Sequence, residues 1–175
     1  EARPDHPFEV EWHPYQLNPE LPPEGMDRQA YMEAKFGSRE NIVRMHEPLL
    51  AHAGKAGVVL DLPAIKRAPN TLDAHRLIHW AGLETRQTPM VSALFRAYWR
   101  DGRDIGDKAV LADLAGEVGL DRAVMARLLD SDGDKAEITG RIAHSRSRGV
   151  RRARRRSRSA LRIASDSVAR CCSAP

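Results

Sequence analysis

Hydrophobic and polar positions divide the chain into two kinds of pattern. Phe8, Val10 and Trp12 alternate with Glu9, Glu11 and His13, the period-two signature of a half-buried strand, and this predicts a strand over residues 8–17. Pro14 confines that strand to an edge or an end, and Asn18-Pro-Glu-Leu-Pro-Pro-Glu-Gly25 reads as a stiff, turn-rich loop. Val58-Val59-Leu60, bounded by Gly57 and Pro63, predicts a second, short strand. Elsewhere the period is helical. Ser38 is placed to cap a helix reaching Met45 and Leu49. Asn70 is placed to accept from the Asp73 amide ahead of a face made of Ala74, Leu77, Ile78 and Ala81 that ends at Gly82. Thr88 with Pro89 opens a helix striped by Val91, Leu94, Phe95 and Tyr98. Asp107 opens a helix carrying Val110, Leu111, Leu114 and Val118, and Asp121 another with Val124, Met125, Leu128 and Leu129. Four consecutive capped, striped segments predict a helical subdomain.

The length of 175 residues fits one domain with a core of its own, and no apolar run is long enough for a membrane helix. The opening Glu-Ala-Arg-Pro is neither a signal peptide nor a start at methionine, so the chain is expected to be a fragment or to have lost its first residues. Charge is uneven. Residues 141–175 hold eleven arginines against Asp166 alone, a net +10, which leaves 17 basic and 23 acidic residues, or −6, for the rest. From residue 151 onward the sequence has no aromatic residue and little sustained period, and it reads as disordered. Such an Arg-rich tail would bind nucleic acid non-specifically through counterion release, making a nucleic-acid-binding module the competing functional class. The two cysteines, Cys171 and Cys172, are adjacent, form no Cys-x-x-Cys, and suit a reducing compartment.

The familiar catalytic patterns fail in turn. His75 and His79 have the i, i+4 spacing of a metal pair, but Arg76 stands where a zinc protease has Glu and no third ligand is evident. Asp130-x-Asp132-x-Asp134 opens like a calcium loop, yet Lys135 and Arg141 occupy positions that need Gly and Glu. Neither a phosphate-binding glycine loop nor a Gly-x-Ser-x-Gly elbow occurs. No metal or bound cofactor is expected.

Several longer motifs do carry information. Val10-Glu-Trp-His-Pro-Tyr-Gln-Leu-Asn-Pro19, Pro22-Pro-Glu-Gly-Met-Asp-Arg28, Lys35-Phe-Gly-Ser38, Ala68-Pro-Asn-Thr-Leu-Asp-Ala-His-Arg-Leu-Ile78, and Leu94-Phe-Arg-Ala-Tyr98 followed by Gly102-Arg-Asp-Ile-Gly106 resemble, in order, the cytoplasmic, FrnE-like branch of the DsbA family. The Pro69-Asn70-Thr71 region is similar as well to the related 2-hydroxychromene-2-carboxylate isomerases. The resemblance implies an α/β thioredoxin-like fold with a helical insertion, here incomplete and mostly helical, arranged as a residual strand and loop over 1–25, a helical insertion over 26–140 and an Arg-rich tail over 141–175. It implies disulfide oxidoreductase or glutathione-dependent isomerase chemistry in the cytoplasm, acting on thiol or disulfide proteins or glutathione. Asn70, Thr71, Asp73 and His75 would lie at a helix start near the active-site cleft and so contact substrate or glutathione, with helix capping as the alternative role. The family's Cys-Pro-x-Cys at a helix N-terminus and its cis-proline segment are not among the 175 residues, so no catalytic residue is assigned and this polypeptide is expected to be inactive in redox chemistry. The family's sequence also continues past Gly149 without such a tail, which suggests an out-of-frame reading of a GC-rich gene.

Overall fold

A computed structural model describes residues 10–148. In chain order it comprises β1 (Met26–Asp27), α1 (Arg28–Phe36), α2 (Arg39–Lys55), β2 (Arg67–Ala68), α3 (Leu72–Leu83), α4 (Gln87–Trp99), α5 (Lys108–Glu117), α6 (Arg122–Asp130) and α7 (Lys135–Ser147). The two strands pair antiparallel, Met26 with Ala68 and Asp27 with Arg67.

The core lies among the last five helices. Leu77, Trp80 and Ala81 of α3 pack with Met90 and Leu94 of α4, Leu111 and Leu114 of α5, and Met125 and Leu129 of α6. Full burial of these side chains contributes ~1.5–3 kcal/mol each before chain entropy is subtracted. The expected caps at Asp107 and Asp121 are present: Asp107 accepts from the Ala109 and Val110 amides, and Asp121 from that of Val124. Ser38 caps α2 through the Asn41 amide, and Asp27 caps α1 through that of Ala30.

Several expectations are corrected. Residues 10–17 form no strand, and Val10 and Leu17 are 54% and 52% exposed, so the alternation does not mark a buried face. The backbone there is held by side chains instead of a ladder: Trp12 donates its amide to Gln87 Oε1 at 3.0 Å, and Gln87 Nε2 returns a bond to Trp12 O at 3.2 Å. Residues 58–60 likewise join no strand. Thr88 does not cap α4, which begins one residue earlier; its hydroxyl accepts from the Trp12 indole at 3.0 Å. The tail boundary expected at residue 141 falls inside α7, where Ile138 and Ile142 are buried. The remainder of the tail, from residue 149, lies outside the described residues.

The α1–α2 hairpin is attached differently from the rest. Met32 anchors α1, but α2 buries none of its seventeen residues and packs chiefly on α1.

Candidate functional site

The motifs separated in sequence meet around Pro69 and Asn70. Gly25 has φ +67°, and a Cβ there would stand 2.6 Å from the Ala68 carbonyl oxygen, so only glycine lets the first loop reach β2. Gly102, at φ +65°, approaches Ala64 in the same manner, its Cβ position 2.6 Å from that residue's carbonyl oxygen. Tyr98 donates its hydroxyl to Arg67 O at 3.2 Å and accepts from Arg28 at 3.3 Å, tying α4 to β2 and to the start of α1. Burial raises the Tyr98 phenol above its ordinary value, with the Arg28 cation opposing the shift. Arg67 also faces Asp104 at 3.8 Å.

Asn70 is the hub. Its Oδ1 accepts from Gln16 Nε2 at 2.6 Å and from the Leu72 amide at 3.1 Å, while its Nδ2 donates to Leu21 O at 2.7 Å. The expected acceptance from Asp73 N is replaced by that from Leu72 N, and α3 takes Thr71 as its first flanking residue without a side-chain cap. Asn70 thus fastens the loop of residues 16–21 to the start of α3.

Asp73 points elsewhere, accepting from Arg76 Nη1 at 2.7 Å. His75, half-buried, faces Tyr15; desolvation pushes its imidazole down to about 4, against a hydrogen bond it donates to the Tyr15 backbone, which raises it. The imidazole is therefore neutral at ordinary pH. Of the four expected contact residues, Asn70 and His75 converge on the 15–21 loop, Thr71 engages only the first backbone bond of α3, its carbonyl accepting from the His75 amide at 3.0 Å, and Asp73 diverges.

Sequence reasoning missed two side chains that complete this corner. Gln16 is a buried polar residue, 6% exposed, and Arg146 of α7 donates to Gln16 O while stacking over the Tyr15 ring, 5.4 Å from its centroid. Nothing local in the sequence marks either; their partners lie 54 and 130 residues away. Arg141 donates to His79 Nδ1 at 3.0 Å, which engages one member of the i, i+4 histidine pair. No group of three metal-ligating side chains occurs among the described residues. The three aspartates after α6 are engaged separately: Asp130 with Lys108, Asp132 with Lys135, and Asp134 with the Trp80 indole.

This geometry makes a rigid polar seam between a loop and a helix start. Its amide groups are paired internally, and its one imidazole is neutral. It lies on a mostly helical body beside a two-stranded sheet. A family model for the DSBA-like thioredoxin domain matches residues 1–151, and the chain belongs to that family. An uncharacterized protein of Bacillus subtilis, YwbO, is 29% identical over 123 residues, 70% of this chain. The chain spans 58% of the length of that relative. No helix among the described residues is long and apolar enough to cross a membrane.

Proposed function

We propose that the chain is the helical, scaffold-forming part of a FrnE-like thiol-disulfide oxidoreductase of the cytoplasm, acting on proteins that carry thiols or disulfides, with glutathione as the alternative co-substrate. The observation that carries this reading is the meeting of the Pro22-to-Arg28, Ala68-to-Ile78 and Leu94-to-Gly106 motifs at one corner, in a chain whose family is that of the DSBA-like thioredoxin domain. Exchange needs a thiolate stabilised by a helix N-terminus or a neighbouring cation. The only thiols, Cys171 and Cys172, follow an Arg-rich stretch and form no Cys-x-x-Cys. The 175 residues alone are accordingly inactive, and the Asn70–His75 corner serves to hold a docked redox element or its substrate.

Insulin reduction tests this directly. The chain by itself should give no turnover above buffer, and the same chain joined to a strand–helix segment bearing Cys-Pro-x-Cys should give measurable turnover. Turnover by the unmodified chain that vanishes in Cys171→Ala would refute the inactivity. Silence of the joined protein, with its cysteines titratable and its helices intact, would refute the oxidoreductase reading.

A further inference from the structure

Between α2 and β2 the chain passes over α4 and leaves a groove of about 90 Å³, walled on one side by residues 57–60 and on the other by Phe95, Arg96 and Trp99. That volume holds on the order of three waters, or one aliphatic side chain. The loop is fixed at both ends, by Val58 N–H to Ala53 O at 2.9 Å and Asp61 N–H to Trp99 O at 2.8 Å. Between these anchors the N–H groups of Val59 and Leu60 meet no acceptor among the described residues. Burial alternates along the segment: Val58 is buried, Val59 is 66% exposed, Leu60 is half-buried and Asp61 is exposed. This is the side-chain alternation of a strand that lacks a neighbour.

Charge supplies the second observation. Arg96 is half-buried at the groove and forms no ion pair or side-chain hydrogen bond with any described residue, whereas Arg100 beside it is bonded to Asp101 at 2.7 Å. A cation flanked by Phe95 and Trp99 favours a carboxylate carried on an apolar segment.

We infer that this groove binds a polypeptide segment in which an aliphatic residue adjoins an acidic one. The segment's backbone accepts from the Val59 N–H, which shares an edge with the Asp61 N–H bonded to Trp99 O, the aliphatic side chain enters between Phe95 and Trp99, and the carboxylate meets Arg96. Binding here requires no thiol, so its outcome is separable from that of the exchange reaction.

Amide NMR of the 175-residue chain, titrated with the capped peptide Ser-Val-Glu-Val-Ser and with its Glu-to-Lys counterpart, tests the inference. Saturating shifts are expected at the Val59 and Leu60 amides and the Trp99 indole, with the acidic peptide bound about threefold tighter, the size of one partly exposed charge pair. Arg96→Glu should reverse that preference, and Val59→Pro, which removes the donor, should weaken both peptides; unshifted Leu77 and Leu111 amides show that each variant is folded. No saturable shift at these positions, or equal affinity for the two peptides in the unmodified chain, overturns the proposal.

Discussion

Arg76 lies over the face of the Trp80 indole, its guanidinium carbon 4.8 Å from the ring centroid, and both side chains end on the turn that follows α6. Arg76 is fully buried, yet all five of its N–H donors are used: Nε on Gly133 O, Nη1 on Asp73 Oδ1 and Leu129 O, Nη2 on Leu128 O and Ser131 O. The cation thereby neutralises the carbonyl end of α6, and Trp80 holds Asp134 in a left-handed conformation at φ +59°.

Removing that guanidinium strands buried carbonyls and leaves Asp73 without its partner. Arg76→Met should cost about 3 kcal/mol, and Arg76→Lys, which cannot fork across four carbonyls, more than half as much. Urea unfolding monitored by helical circular dichroism measures both.

Asn70→Ala leaves Gln16 Nε2 and Leu21 O unsatisfied in a partly buried seam. The expected cost is ~1–3 kcal/mol, with faster hydrogen exchange confined to residues 16–21 and the start of α3. A loss spread evenly over α5 and α6 would contradict the assignment of Asn70 as a local fastener.

His75 gives the fold a pH dependence whose sign is fixed by its depressed value. The unfolded chain takes up a proton on this residue near 6.5 and the folded chain only at about 4, so nothing is lost above 6.5. Stability then falls as pH drops from 6.5 to about 4, by ~2–3 kcal/mol in all. His75→Gln should flatten that portion of the curve of urea midpoint against pH, while His79→Gln should not.

Two glycines should respond in opposite directions. Gly25→Ala forces a Cβ against the Ala68 carbonyl at a positive φ and should destabilise by ~2 kcal/mol or more. Gly140→Ala, exposed within α7 with nothing near its Cβ position, should stabilise by ~0.5–1 kcal/mol. Thermal melts of the two variants beside the parent chain decide both.

What the sequence discloses follows the range of the interactions. Asp107 and Asp121 bond to amides two or three residues away, so their caps are readable in any short window. Residues 10–17 mislead because their partners, Gln87, Asn70 and Arg146, are supplied by distant parts of the chain, and alternation alone cannot distinguish a ladder from such side-chain contacts. Helix α7 hides because its buried face within a polar, glycine-containing stretch consists of Ile138 and Ile142 alone. The Asn70 corner is legible as a motif, but its role as a tie depends on Gln16 and Leu21, which lie 54 and 49 residues away in sequence.

Gln87 imitates a peptide group: it receives from and gives to the main chain of Trp12, as an adjoining strand would. Deamidation to glutamate would exchange the giving nitrogen for an oxygen and set it against the Trp12 carbonyl. The leading segment would then hang on Thr88, Asn70 and Arg146, with its first turn of main chain held from one side only.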